Sequence, residues 1–549
     1  MKKISRWIKR TWVACLALFM AVILSSCSPL SMALALLDFI GIQIETPIFL
    51  EYTLTEEDLE SMKTAAKDCE KAGMEGDMLK FTVSSSTMVS EYMYIVDQAN
   101  IAYLNYCMDT TDEEGVANYV ESEKIAADAR TVYLGTLKKL VNDSPIGEEL
   151  SASLGKDDMT ILSADFENVA RYELAVSEAQ RQFYTVEEGE NWVTEVSKLY
   201  EEVVKNNRKL ADEYGYGNYY DYASDLIYAR KYEQRLVKEF RKYVNKYLVP
   251  LFQEVYNEYV EFQASFTEAE KLEYQKLYNN YDLVNSYMDT FNVNMKRDMQ
   301  AMGTVKNASI VAKNKNALPG AYTMYLNSAQ QPIAYFGPGY QDIFTYVHEQ
   351  GHYLAARYLE GMPRSVDFAE LHSQGNEWLF MAYLDGVVDE KIYKGLLLDN
   401  VVNGLITIIS CTVTDHFEEM VYKNDYTLMA DAYKGVMDLV WKEYPGLEET
   451  LSKVAGYDFY EYALRVSLLQ PGYYLSYATS QIAAMGIYAN CYKEGYAKTQ
   501  AKYESLMVDE SLLLAIKEAG LMSPFKKETY EELRKVFLGE ESVEEATMY

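Results

Sequence analysis

Apolar residues recur three and four positions apart, among acids and lysines, over residues 53–140, and again over 186–262 and on to Tyr287. That spacing places one apolar stripe along an α-helix. Weak breaks fall at Gly73-Met74-Glu75-Gly76 and at 142–147. The second run is rich in tyrosine, as in Tyr256-Asn257-Glu258-Tyr259, and aromatics at helical spacing read as packing surface. The period changes at 320–337. There Ala321-Tyr322-Thr323-Met324-Tyr325-Leu326 and Pro332-Ile333-Ala334-Tyr335-Phe336 are short β-prone runs joined by 327–331, which predicts a small hairpin closed by Gly337-Pro338-Gly339. A proline-free helical segment follows. No fixed-period repeat or low-complexity linker divides the chain, so the pattern predicts a mostly α protein with one small hairpin.

Composition agrees with that pattern. The 549 residues include 28 Gly and 11 Pro, too few breakers for a sandwich, barrel or propeller built from many tight turns. With 49% hydrophobic residues the chain can bury a large core. Its 51 Lys+Arg against 83 Asp+Glu give a net charge of −32, which excludes a nucleic-acid partner because phosphate contacts need clustered cations.

The N-terminus reads as an address. Lys2, Lys3, Arg6, Lys9 and Arg10 precede an apolar run at 12–24, short for a bilayer span and suited to a signal sequence. Leu24-Ser25-Ser26-Cys27 resembles a bacterial lipobox, so residues 1–26 are expected to be cleaved and Cys27 lipidated; an uncleaved signal anchor is the alternative. Removing 1–26 would leave a charge of −37, and an acidic body should stay off an anionic lipid surface, leaving the lipid at Cys27 as the tether. The expectation is an exported chain, lipid-anchored to the extracytoplasmic face of a bacterial cell membrane, with a helical region over 27–150 and a larger one over 151–549. Cys69, Cys107, Cys411 and Cys491 show no Cys-x-x-Cys spacing and read as buried or free thiols, with one disulfide possible.

The helical segment after the hairpin contains His348-Glu349-Gln350-Gly351-His352. Residues four apart share a helix face, so both imidazoles can point at one zinc while Glu349 reaches the water that the ion activates. A third protein ligand must complete such a site. A metzincin would need Gly at 355 and His at 358, where the chain has Ala355 and Tyr358. The better source is Asp367-Phe368-Ala369-Glu370-Leu371-His372-Ser373-Gln374-Gly375-Asn376-Glu377, where Glu370 and Glu377 lie seven apart on one helical face. Asp367 and Glu370 also fit a capping box, the competing reading for Glu370.

Taken together, these two segments resemble the thimet oligopeptidase and oligoendopeptidase F family of zinc peptidases, clearly over 317–479 and more loosely over 208–538. The resemblance implies two helical lobes enclosing a deep active-site channel, with the small hairpin or sheet next to the His-Glu-x-x-His helix and the catalytic core at about 317–480. It implies one zinc per chain on His348, His352 and Glu370, with Glu377 supporting a ligand imidazole and Glu349 as general acid/base. The family's strand nearest the zinc holds the substrate backbone, which points to Ala334, Tyr335 and Phe336. Pro471-Gly472-Tyr473-Tyr474-Leu475-Ser476-Tyr477 resembles the family's tyrosine segment, giving Tyr477 and then Tyr474 as partners of the scissile carbonyl. Tyr214-Gly215-Tyr216-Gly217-Asn218-Tyr219 is similar to an upstream family stretch. Two departures stand out. The loop between the ligand helices is shorter, and Arg465 lies where the family has a nearby histidine, with His416 on another segment as a substitute. His372 reads as structural or substrate-lining. The activity implied is endopeptidase cleavage of short unfolded oligopeptides; the alternatives are a carboxydipeptidase of similar architecture and a catalytically impaired peptide-binding lipoprotein. An aminopeptidase fits less well, since no Gly-x-Met-Glu-Asn segment is present to capture a free amine.

Overall fold

A computed structural model describes residues 48–424, 432–456, 458–506 and 511–539. The signal segment and Cys27 lie outside the described residues. The N-terminal stretch folds into α1 (Glu56–Glu75), α2 (Met78–Met108) and α3 (Glu113–Asp143). Helix α1 starts where the Thr55 N–H donates to the Asp58 carboxylate (2.8 Å) and stops at Gly76, which adopts the left-handed conformation. The break at 109–112 has no Gly or Pro to announce it; Asp112 caps α3 by accepting from the Gly115 N–H (3.2 Å). These helices bury Leu59, Met62, Phe81, Ile125 and Leu140 together.

Helices α4 (Phe166–Phe183) and α5 (Trp192–Glu213) lead into the larger core, which holds α6 (Ile343–Leu359), α7 (Val366–Tyr383), α8 (Glu390–Lys423), α9 (Phe459–Leu469) and α10 (Tyr474–Glu494). Helix α8 is long and apolar enough to cross a membrane, yet Leu405, Ile408, Val413 and Phe417 are buried in the protein core. Cys69, Cys107 and Cys411 are buried, Cys491 is half-buried, and all four are free thiols.

The expected hairpin is present as β2 (Ala321–Leu326) and β3 (Gln331–Phe336), joined by a third strand, β1 (Ser309–Val311), in the order β1-β3-β2. Three residues carry no readable alternation, so β1 left no sequence signal. It changes the site. β1 pairs parallel to β3 in the register Ser309↔Ala334, Ile310↔Tyr335, Val311↔Phe336, while β2 pairs antiparallel on the other side with Ala321↔Phe336, Tyr322↔Tyr335 and Thr323↔Ala334. The backbone of Ala334, Tyr335 and Phe336 is therefore flanked on both edges, and these residues do not hold a substrate strand, contrary to the expectation above. The Tyr335 hydroxyl donates to the carbonyls of Cys107 and Leu318 (both 2.9 Å), a structural tie. The outer strands are β1 and β2, and β2 is the one beside Glu349, through Thr323.

The N-terminal helices with α4 form one wall of a cavity of about 1800 Å³, and α6 to α10 form the other. Tyr92, Tyr103 and Glu173 face it from the first lobe, His348, Glu370 and Tyr477 from the second. This is the two-lobed helical architecture around a channel expected from the sequence.

Candidate active site

Helix α6 begins at Asp342, whose carboxylate accepts from the N–H groups of Phe344 (2.9 Å) and Thr345 (3.1 Å), and it carries His348 and His352 on the face turned to α7 and Glu349 beside them, toward β2. Helix α7 starts at Val366, two residues earlier than a cap at Asp367 would require. Its cap is Ser365, whose hydroxyl accepts from the Phe368 N–H (3.4 Å), so the capping-box reading of Glu370 does not hold and its carboxylate is free to face α6. The two helices approach closely at Gly351. A Cβ there would lie 2.5 Å from the His372 carbonyl oxygen and 2.6 Å from the Ser373 Cα, so only hydrogen fits.

This crossing brings His348, His352 and Glu370 together, with one ligand atom from each within 4.8 Å of the others. Glu370 Oε2 lies 3.8 Å from His348 Nε2 and 3.5 Å from His352 Nε2. Donor atoms placed ~2.1 Å from a tetrahedral zinc would be ~3.4 Å apart, so the donor set fits such an ion. Glu377 Oε1 lies 2.6 Å from His348 Nδ1, which leaves Nε2 turned to the cluster. Burial disfavours a charged His348, but Glu377, Glu349 and Glu370 outweigh it and hold the metal-free imidazole up to about 9. Glu370 Oε1 accepts from the Tyr473 hydroxyl and Oε2 from Ser373 Oγ (3.2 Å), fixing the carboxylate before any ion arrives.

Glu349 is buried and accepts from Thr323 Oγ1 on β2 (2.7 Å). Burial raises its pKa, against the opposing pull of His352 and His348, which suits a general base. The Tyr477 ring centre is 6.4 Å from that of His348, and burial followed by the charge of Glu370 keeps its phenol protonated as a donor. Tyr474 lines the cavity elsewhere, with Cys411, Glu418 and Tyr228 as its charge neighbours. Tyr473 and Thr323 were not singled out by sequence. Tyr473 is one of 50 tyrosines, and the only available signal for Thr323 was its position on the hairpin strand.

Neither remaining histidine joins the site. Burial pushes His372 down to about 3, and its Nε2 lies 3.1 Å from the Leu506 carbonyl. His416 sits 3.9 Å from Glu443 and edge-on to Tyr444, and it is absent from the cavity lining. Arg465 does line the cavity. The segment around Tyr219 is structural: the Tyr219 ring packs on Tyr422, and Tyr220 donates to Asp415 Oδ1 (2.7 Å).

The turn that delivers the tyrosines is clamped from beneath. Gly472 has a φ of 82°, Tyr228 donates to the Pro471 carbonyl (2.7 Å), and Arg230 donates to the carbonyls of Gly472 (2.7 Å) and Tyr473 (3.1 Å) and to Ser476 Oγ (2.7 Å). Arg230 also lies 3.5 Å from Asp367 on α7, one turn before Glu370, and so ties the tyrosine turn to the ligand helix. Glu418 Oε1 accepts from the Gly472 N–H (2.9 Å), and burial pushes its pKa up to about 8. The folded state thus binds a proton that the unfolded chain releases near ~4.3, so stability falls as pH rises from about 4 through about 8. Glu418→Gln keeps an acceptor for Gly472 and removes the ionisation. Its melting temperature should exceed that of the unmodified protein at pH 9 and match it at pH 4; equal melting curves at pH 9 would show Glu418 to be comfortably ionised.

No protein-family model matches this sequence, and no curated protein does. Solved structures do match the fold. Pz peptidase A, determined with an inhibitor, aligns with a TM-score of 0.67 at 15% identity, over 90% of this chain and 98% of its own. A structure named for oligoendopeptidase F from Bacillus anthracis str. Ames gives the same values, and another named for oligoendopeptidase F aligns at 0.68 and 15% over 89% and 97%. The likeness, near full length on both sides, establishes that this chain has the oligoendopeptidase F fold.

Proposed function

We propose that the chain is a zinc-dependent endopeptidase that hydrolyses short unfolded oligopeptides outside the cytoplasm. The observation that carries this reading is the convergence of His348, His352 and Glu370 beside a buried Glu349 in the wall of an interlobe cavity. The oligoendopeptidase and Pz peptidase structures that share the fold support the same class of reaction.

A zinc ion held by His348, His352 and Glu370 would supply a Lewis acid that polarises the scissile carbonyl and acidifies the attacking water toward ~7. The remaining work falls to the chain. The Gly337 N–H donates to the Gly320 carbonyl (2.8 Å), and alternation along an antiparallel pair then turns the N–H and C=O of Ala321 and Thr323 to the open edge of β2. An extended peptide can pair there, next to Glu349. Thr323 Oγ1 orients the Glu349 carboxylate, which takes a proton from the water and delivers it to the leaving amine. The Tyr477 hydroxyl, for which no hydrogen bond is seen among the described residues, donates to the oxygen that gains charge. Tyr477→Phe should lower kcat by roughly 10²–10³-fold with KM little changed; a variant within threefold of the unmodified rate would remove this role. A cavity of about 1800 Å³ has room for a short extended peptide and not for a folded domain.

Zinc analysis of the chain without residues 1–26, run with cleavage of a mixed peptide pool, tests the proposal: about one zinc per chain and new peptide termini are expected. A carboxydipeptidase would instead release residue pairs only from peptides with free C-termini. The tether is part of the same proposal. Mass spectrometry of the protein from membranes should show a mature chain beginning at a lipid-modified Cys27, absent in Cys27→Ala; an intact Met1 terminus would reject it.

A further inference from the structure

We propose that Arg465 forms a carboxylate-binding subsite in the interlobe cavity, taking the free C-terminus of a short peptide or an acidic side chain of the same peptide. The proposal rests on the peptide-hydrolase reading above and specifies its substrates. Three arginines line the cavity: Arg130, Arg181 and Arg465. Two are neutralised. Arg130 pairs with Glu173, and Arg181 with Glu123 and Glu178. Arg465 makes no ion pair and no hydrogen bond among the described residues, and it is exposed to the cavity. Among the described residues no lysine lines that cavity.

What holds Arg465 is aromatic. Its guanidinium carbon lies 5.8 Å from the Phe183 ring centre and 5.6 Å from that of Trp192. Ring faces attract a cation and limit its motion without cancelling its charge, so the fork of N–H donors stays available. In a chain of net charge −32, carboxylates are abundant, yet among the described residues none pairs with this guanidinium. A planar fork of this kind matches a carboxylate with two parallel hydrogen bonds.

The subsite lies within reach of the reacting bond. Arg465 sits four residues before the end of α9 at Leu469, ~6 Å along the helix axis. The four residues from Leu469 to Tyr473 add at most ~14 Å, so the Cα atoms of Arg465 and Tyr473 are no more than ~20 Å apart, about six residues of extended peptide. A carboxylate bound at Arg465 therefore belongs to a peptide whose scissile bond can lie beside Tyr477, and Arg465 acts as a ruler that favours short substrates.

The test uses the zinc-loaded chain and matched peptides of six to ten residues, each as free acid and as C-terminal amide. The unmodified protein should show roughly a 10-fold higher kcat/KM for the acid, the scale of one charge-assisted pair. Arg465→Gln should bring the acid-to-amide ratio to about 1, and Arg465→Lys should give an intermediate ratio, keeping the charge but not the fork. A second arm exchanges Glu for Gln at each position of the amidated peptides; a Glu preference abolished by Arg465→Gln would assign the carboxylate to a side chain. Ratios that are the same in the unmodified protein and in Arg465→Gln in both arms overturn the subsite. Binding of the same peptides to zinc-loaded Glu349→Gln, read by fluorescence anisotropy, gives these ratios without turnover. A protein that cuts nothing but still distinguishes acid from amide through Arg465 would reject the hydrolase reading and keep the subsite.

Discussion

Glu349→Gln is expected to lower kcat by roughly 10²–10⁴-fold while the protein keeps about one zinc per chain. The two halves of that outcome have separate causes. Glutamine preserves the size of the side chain and an oxygen that can accept from Thr323 Oγ1, so the local packing of a buried position is retained. It has no basic carboxylate to take a proton from water. The donor atoms proposed for zinc belong to His348, His352 and Glu370, so zinc content should not change. Turnover near the unmodified rate would exclude Glu349 as the base and return the search to the other buried carboxylates. Loss of zinc together with turnover would mean that Glu349 helps to hold the ion.

Glu370→Ala should abolish stoichiometric zinc and, with it, activity. The substitution removes the carboxylate that lies within 4 Å of both imidazoles, and it leaves the Tyr473 hydroxyl without its acceptor. Glu377→Gln provides the comparison. It weakens only the partner of His348 Nδ1, and such supporting groups typically cost 10–100-fold in metal affinity, so its activity should return in excess zinc. Zinc content measured after dialysis against a weak chelator distinguishes the variants: retained zinc in Glu370→Ala would remove that residue from the ligand set, and failure of excess zinc to rescue Glu377→Gln would give Glu377 a further role.

Much of this arrangement could be read along the chain, for a reason that is local. Helical periodicity, the turn residues around 320–339 and the four-residue spacing of His348 and His352 depend on neighbours in sequence, and α6, α7 and the β2–β3 hairpin appear where those patterns put them. His372 and Glu377 were also separable, because residues seven apart share a helix face and residues two apart do not. The tyrosines were less legible. Tyr473, Tyr474 and Tyr477 crowd one short stretch, and which phenol meets Glu370 is set by the clamp of Tyr228, Arg230 and Glu418 on the turn, from segments as distant as 243 residues.

The sequence by itself determined a helical protein with two imidazoles on one helix face and a carboxylate next to them, since 3.6 residues per turn brings positions four apart together. The tertiary structure alone decided which strand edge is open and what completes the cluster. Strands β1 and β2 closed both edges of β3, so the open edge beside Glu349 belongs to β2, and the missing side chain at Gly351 let α7 approach until Glu370 met both histidines. Pairing partners and interhelical distances depend on residues far apart in the chain, and no periodicity encodes them.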